Sequence, residues 1–210
     1  MYNNANRVIS NKIRLMDSNK KIIKIFETEK NGIQNILNHL EIKNLSIFFK
    51  LCNKAKEAIK DKKKIIFFGN GGSASDAQHL ATELTVRYKR NRKAISAISL
   101  ATDTSALTAI GNDFGFDYIF SRQLEAIGNK GDVSIAITTS GNSQNLIEAS
   151  KIAKKKGILF YVFSGNNGGK LNKYTKNLII IPSKVTSQIQ VTEIFLGQIL
   201  CDYLETFASK

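Results

Sequence analysis

The stretch FFGNGGSASDAQHLATEL, residues 67–84, combines residue types that could bind and transform a small anionic molecule. An apolar run is followed by three glycines and two serines, and then by a helical pattern that carries His79 and Glu83 four residues apart. Residues four apart lie on one face of a helix. This pair could therefore ligate a metal ion or supply a general base, although most isolated pairs of this kind are ordinary surface pairs.

A second loop, AITTSGNSQ at residues 136–144, also places small residues and hydroxyls between an apolar run and a helical pattern. The first turn of a helix favours anions because its N–H groups are unpaired and the helix dipole is positive there. The two loops together therefore indicate a phosphate site. The alternative is that the small residues only make tight turns and cap helices.

A third segment, AIGNDFGF at residues 109–116, offers Asn112 and Asp113 to the hydroxyls of a sugar. The alternative is a helix end at Gly111 followed by a new helix start at Asp113.

The elements that must position these loops alternate between strands and helices. Apolar runs predict strands at residues 64–69, 94–100, 132–140, 158–165 and 177–182. Three- and four-residue spacing predicts helices at residues 30–60, 75–88, 103–128 (as two short helices), 143–157 and 187–207. The alternation predicts an α/β fold, a three-layer α/β/α sandwich with a parallel, Rossmann-like sheet and extra N-terminal helices. We expect a basic N-terminal arm at 1–25 and one domain at 26–210, with ligands bound beyond the carboxyl ends of the strands.

The composition bounds the classes of partner. The chain has 210 residues and a formal net charge of +14, but its basic runs are scattered and match no nucleic-acid motif, so nucleic acid is an unlikely partner. No apolar run approaches the roughly 20 residues that a membrane-spanning helix needs. The N-terminus lacks the apolar region of a secretory signal. Cys52 and Cys201 are far apart among apolar neighbours, which predicts reduced thiols in a cytoplasmic protein.

The motifs together resemble the phosphoheptose isomerase branch of the sugar isomerase (SIS) domain family. GNGGSASDAQHLATELTVRYK, TDTSALTAIGNDFGFDYIFSRQLEA, TTSGNS and IQ…LC occur in the order and at the spacing of that family, over residues 35–207. The resemblance implies an SIS-domain homotetramer with active sites at subunit junctions and one zinc ion per subunit. It also implies conversion of sedoheptulose 7-phosphate to D-glycero-D-manno-heptose 7-phosphate, a precursor for surface polysaccharide such as lipopolysaccharide or capsule.

The resemblance also assigns residues. It makes Glu83 the general base and places a catalytic role at position 198. The implied substrate-binding residues are Asn70, Gly71, Gly72, Ser73, Glu83, Arg87, Asn112, Asp113, Thr138, Thr139, Ser140, Ser143 and Gln190. The implied zinc ligands are His79, Glu83, Gln190 and Gln198.

The chain departs from the family at one position of this set. Where the family has a histidine that serves as zinc ligand and catalytic acid, this chain has Gln198. A glutamine can donate a hydrogen bond and can ligate zinc weakly through its carbonyl oxygen, but it cannot titrate. Glu193, where many members have another histidine, could replace it as the acid if burial raised its pKa.

Two alternatives to the isomerase remain open at this point. One is a non-catalytic SIS-domain adaptor, similar to the DnaA-initiator-associating protein, which also lacks the histidine. The other is an isomerase or binding protein for a different phosphosugar.

Overall fold

The computed structural model describes residues 2–40 and 45–208. Seven α-helices are present in this part of the chain: α1 (Tyr2–His39), α2 (Ser46–Lys60), α3 (Gly72–Thr85), α4 (Thr104–Asp113), α5 (Ser121–Ile127), α6 (Gln144–Lys156) and α7 (Thr186–Glu205). The strands are β1 (Ile65–Gly69), β2 (Ala97–Ser99), β3 (Val133–Thr138), β4 (Leu159–Gly165) and β5 (Leu178–Ile181). None of the helices in the described ranges is both long enough and apolar enough to cross a bilayer.

The five strands form one parallel sheet in the order β2-β1-β3-β4-β5. Alternate residues of β1 face opposite sides: Ile65 and Phe67 belong to one core cluster, and Ile66 and Phe68 to the other. The first cluster includes side chains of α2, α3 and α7, and the second includes side chains of α5 and α6. Burial on both faces explains why β1 is a continuous apolar run and why β3 is mostly apolar. The predicted three-layer α/β/α sandwich with a parallel sheet is confirmed.

The element boundaries of three helices differ from the sequence prediction in ways that bear on the site or on the domain division. α1 continues without a break past residue 25, so no element boundary separates the predicted arm from the domain, and that division stays a prediction. α3 begins at Gly72, three residues earlier than predicted, and therefore includes part of the glycine loop. α4 continues through Gly111 to Asp113, and the chain turns only at Gly115, which has a φ of +96°. Residue 1 and residues 41–44, which the predictions also covered, lie outside the described residues.

Candidate functional site

A small polar cavity of about 120 Å³ lies at the carboxyl ends of β1 and β3. Eight residues from the two loops and α7 line it, and none of them is charged: Asn70, Ser73, Ile137, Thr138, Thr139, Ser140, Ser143 and Gln190. The structure thus brings together seven of the predicted substrate-binding residues. Their roles toward a ligand remain predictions.

The N-termini of two helices converge on this cavity. Ser73 lies in the first turn of α3 and is buried, while Ser143 is the residue that precedes α6. Unpaired N–H groups and helix dipoles at these ends favour an anion, which compensates for the lack of a cationic side chain in the lining. The cavity is therefore suited to a phosphate group.

Two glycines permit the close approach of these elements. Gly141 has a φ of +66°, and a Cβ atom there would lie 2.1 Å from the carbonyl oxygen of Gly168. A Cβ atom on Gly72 would lie 2.6 Å from Nε2 of Gln190, so the start of α3 sits directly against this side chain of α7. A larger residue at position 72 would displace Gln190, which lines the cavity, and one at position 141 would collide with the backbone of Gly168.

Asn70 lies between the polar cavity and a second cavity of about 190 Å³. Apolar and aromatic side chains, including those of Leu107, Phe116 and Phe120, form much of the lining of this second cavity. Gly71 also lines it. The side chain of Asn70 is hydrogen-bonded to that of Asn145 of α6, a residue that the sequence analysis did not identify. A ligand in the polar cavity could extend past Asn70 into this second space.

His79 and Glu83 form a hydrogen-bonded pair on α3, with 2.9 Å between Nε2 and Oε1. The Glu83 side chain is 19% exposed and that of His79 is 48% exposed, so the pair faces outward from the core. Ser73 precedes Glu83 by ten residues, about 15 Å along the helix axis. The carboxylate is therefore well separated from the polar cavity.

α7 runs parallel to α3. Gln190 lies against Gly72 at one end, and a Cβ atom on Gly197 would lie 2.5 Å from Leu80 further along. Gln198, the next residue of α7, is partly exposed, and no hydrogen bond joins it to His79 or Glu83 among the described residues. The structure gives Gln190 a place in the polar cavity but places Gln198 outside it.

The predicted zinc ligands do not form a tight metal site. Within residues 2–40 and 45–208, no group of three or more His, Cys, Asp or Glu side chains could hold a metal ion. His79 and Glu83 supply donors that zinc prefers, whereas Gln190 and Gln198 supply only neutral amide oxygens. The donor set does not fit a tightly held zinc ion, and no chemical step below involves one.

Glu193 of α7 is completely buried, and neither of its carboxyl oxygens has a hydrogen-bond partner among the described residues. Desolvation by burial, followed by the charge of Asp76, raises the pKa of Glu193 to about 8, although the backbone of Thr138 acts in the opposite direction. The raised pKa that the sequence analysis required of Glu193 is present. The side chain does not line the polar cavity, however.

Besides Glu83, three predicted substrate-binding residues lie apart from the polar cavity in this chain: Arg87, Asn112 and Asp113. The side chain of Asn112 donates to Asp113 at 2.8 Å at the exposed end of α4. Asp113 lines a different cavity of about 400 Å³ between α4 and α5, and Arg87 is exposed just beyond α3. No residue of α4 is buried within the chain. A single chain therefore does not bring these three residues to the phosphate-sized cavity.

A buried ion pair holds the end of α3 and the segment that follows it. Arg92 donates to the carbonyl oxygens of Glu83 and Leu84, and its Nε lies 3.2 Å from Oε1 of Glu205. The Glu205 carboxylate also accepts from the backbone N–H groups of residues 88–90. Sequence analysis missed this clamp because its partners are more than 100 residues apart in the chain.

The fold and the polar cavity at two helix N-termini define the class of protein, and comparison with known families agrees. The sequence model described as SIS domain matches residues 29–165, so the chain is an SIS-domain protein. A phosphoheptose isomerase of Paramagnetospirillum magneticum is 49% identical over 77% of this chain and 84% of that protein. One from Helicobacter pylori strain P12 is 52% identical over 73% of this chain and 81% of that protein.

Solved structures place the chain in the same group. Phosphoheptose isomerase from Neisseria gonorrhoeae is 35% identical, with a TM-score of 0.79 over 89% of this chain and 98% of that one. The enzyme from Francisella tularensis is 29% identical, with a TM-score of 0.82 over 90% of this chain and 98% of that one. The chain belongs to the phosphoheptose isomerase family of SIS-domain proteins.

Proposed function

We propose that the protein is a sugar-phosphate isomerase that converts sedoheptulose 7-phosphate to D-glycero-D-manno-heptose 7-phosphate. The observation that carries the proposal is the uncharged, phosphate-sized cavity at two helix N-termini, in a chain whose relatives at about 50% identity are phosphoheptose isomerases. These relatives also make a non-catalytic adaptor the less favoured alternative.

The polar cavity would bind the phosphate on C7. Hydroxyls of Thr138, Ser140 and Ser143 can each donate a hydrogen bond to a phosphate oxygen, and the N-terminal turns of α3 and α6 supply backbone donors. The reacting carbons of this substrate, C1 and C2, lie at the opposite end of the sugar. The separation between the cavity and Glu83 suits such a substrate.

Glu83 would serve as the base for the carbon-bound proton. In a ketose-to-aldose conversion, a base takes a proton from C1, an enediol forms, and the proton is returned to C2 while another moves between the two oxygens. The hydrogen bond from His79 holds the Glu83 carboxylate in one orientation, with its second oxygen left to accept a proton.

The proton that moves between the oxygens on C1 and C2 must be transferred by a group other than Glu83. Gln198 can polarise an oxygen by donating a hydrogen bond, but it cannot exchange a proton. Glu193 has the raised pKa of an acid, and its burial behind the cavity wall means that it would act only through an intervening group. Its role as the acid stays a prediction, tested by the rate of Glu193→Gln.

We also propose a cytoplasmic homotetramer with active sites shared between subunits. Two free, buried cysteines support a reducing compartment. The exposed position of α4, with Asn112 and Asp113 at its end, supports a site that a second subunit completes. One weakly held zinc ion per subunit, and supply of heptose for lipopolysaccharide or capsule, belong to the same proposal.

The test is to incubate the purified protein with sedoheptulose 7-phosphate, with and without added zinc, and to follow the sugar by NMR. We expect a mannoheptose 7-phosphate to form, and we expect Glu83→Gln to abolish it. Glu57→Gln, a change at an exposed glutamate paired with Lys54, is the matched control and should leave the rate unchanged. No conversion by a folded protein under either condition would overturn the proposed function.

A further inference from the structure

Asn70 and Asn145 form a reciprocal pair of hydrogen bonds between the two loops of the site. Nδ2 of Asn70 donates to Oδ1 of Asn145 at 3.0 Å, and Nδ2 of Asn145 donates to Oδ1 of Asn70 at 2.9 Å. The two residues are 75 positions apart in the chain. We propose that Asn145 is a positioning residue, which fixes the carboxamide of Asn70 in the orientation that receives the ligand. This inference rests on the proposed function for the identity of the ligand.

Reciprocal bonding fixes an amide more firmly than a single bond does. A carboxamide has a donor end and an acceptor end, and each asparagine here uses both toward the other. Turning either side chain over by itself would place nitrogen against nitrogen and oxygen against oxygen, so both hydrogen bonds would be lost together. Asn145 is only 2% exposed, and water therefore has little access to replace them.

The pair leaves part of Asn70 available. Each Nδ2 has two hydrogens and each Oδ1 has two lone pairs, and the pair uses one of each. Asn70 is only partly buried and lines both the polar cavity and the larger apolar one. Its remaining donor and acceptor can therefore contact a ligand where the phosphate joins the sugar chain. Asn145 lines neither cavity and acts only through Asn70.

The pair also joins two elements that each carry half of the phosphate cavity. Asn70 follows β1 and leads into α3, and Asn145 lies in the first turn of α6, two residues after Ser143. Loss of the pair would leave the buried amide of Asn145 or the partly buried amide of Asn70 unpaired, and it would free the glycine loop from α6.

The experiment compares Asn145→Ala, Asn70→Ala and the double variant, with Gln144→Ala as the control. Gln144 lies in the same turn of α6, is exposed, and its side chain donates to Glu148. We expect Asn145→Ala to raise the KM for sedoheptulose 7-phosphate about tenfold, with a smaller change in kcat. The double variant should be no worse than Asn70→Ala, because Asn145 acts through Asn70. An unchanged KM in Asn145→Ala, or additive losses in the double variant, would overturn the inference.

A second variant separates this role from a purely structural one and does not depend on whether Asn145→Ala folds. In Asn145→Asp the introduced carboxyl, when protonated, can both donate to Oδ1 and accept from Nδ2 of Asn70, which rebuilds the pair. When ionised it can only accept, and its charge opposes the phosphate. The KM of this variant should therefore approach that of the wild type as the pH falls, and a constant ratio across pH would contradict the inference.

Binding of inorganic phosphate, measured by calorimetry, distinguishes the two proposals. If the wild type does not turn over the heptulose phosphate, the proposed function fails. Weaker phosphate binding in Asn145→Ala but not in Gln144→Ala would still support the positioning role, and equal binding in both would overturn it.

Discussion

The carboxyl group of Glu193 makes the stability of the protein depend on pH. Its pKa is about 8 in the folded chain, because burial and the nearby charge of Asp76 disfavour the ionised form, against 4.5 for an ordinary glutamate. The folded state therefore holds a proton that the unfolded state releases between these two values. The stabilisation from this proton is complete below about pH 4.5, is lost progressively as the pH rises to about 8, and changes no further above that.

Glu193→Gln removes this dependence while keeping the shape of the side chain. We expect the variant to have a melting temperature about 10 °C above that of the wild type at pH 8, and the difference to shrink toward pH 5. Thermal unfolding at both pH values is the measurement. A difference that does not depend on pH would mean that Glu193 is already ionised in the folded protein. The rate of the same variant decides the acid hypothesis, because an unchanged rate would remove it.

Gln198 stands where the family's histidine would be, and the consequence for zinc is measurable. An imidazole is a stronger zinc donor than an amide oxygen, so Gln198→His should raise zinc affinity at least about tenfold. Competition with a chromophoric chelator gives the affinity directly. Lys155→His places an imidazole on the exposed side of α6, where no carboxylate lies three or four residues away in the sequence, and should leave the affinity unchanged. Equal affinity in Gln198→His and the wild type would exclude position 198 from the ligand set.

At the scale of elements, the clamp formed by Arg92 and Glu205 sets the position of the end of α3. Burial by itself would raise the pKa of Glu205, but the N–H groups of residues 88–90 and the charge of Arg92 outweigh it and lower that pKa. The ionised form thus stabilises the fold. This stabilisation is present above the ordinary glutamate pKa and is lost as the pH falls through the lowered value in the folded state.

Glu205→Gln leaves Arg92 buried without its counter-ion and turns an N–H donor toward other N–H donors. Breaking a buried pair of this kind costs about 3–5 kcal/mol, so the melting temperature should fall by about 10 °C near neutral pH. Asp202→Asn removes the neighbouring exposed pairs with Lys89 and Arg90 and should lower the melting temperature much less, because solvent screens exposed pairs. Similar losses in the two variants would show that the clamp contributes no more than a surface pair.

Strands and helices could be predicted from the sequence where their pattern of apolar residues depends only on neighbouring positions in the chain. β1 and β3 were predicted because strands buried on both faces must be apolar throughout. β2 was predicted too long, since it is an edge strand in which Ile98 is exposed and only three residues pair. The type of Gly111 makes it a possible helix end, but a glycine within a helix only weakens the helix, and α4 continues to Asp113.

For the candidate site, too, the sequence predicts the residues that belong to a local pattern and misses those that depend on contacts between distant segments. Ser73 and Ser143 were found because a loop that leads into a helix leaves a local pattern of small and hydroxyl residues. Asn145 was missed because its partner is on a distant loop, and an asparagine in the first turn of a helix usually indicates nothing more than polarity. Complete burial of Glu193 was equally hidden, because it depends on α3 packing against α7.

At the scale of the whole molecule, several apolar side chains remain exposed together on α7 and on α1. The inward side of α7 carries Leu196, Leu200 and Leu204, which are buried. Its outward side carries Val191, Phe195 and Ile199 at four-residue spacing, each at least 40% exposed. On α1, Ile22, Ile23, Ile25 and Phe26 are more than 60% exposed. A contiguous apolar row on a helix is typical of a surface that another chain covers.

A substitution in this outward row of α7 tests whether the row forms an interface of the proposed tetramer. Phe195→Asp places a charge in the middle of the row, and burying it against a second copy would be costly, so the variant should sediment as a smaller species than the wild type. Its fold should persist, because Phe195 is 44% exposed within the chain. If the active site lies at a subunit junction, isomerase activity should fall in parallel with dissociation. Tyr174→Asp alters a comparably exposed aromatic residue outside α7 and should leave the assembly intact. Unchanged sedimentation of Phe195→Asp would exclude this face of α7 as the interface.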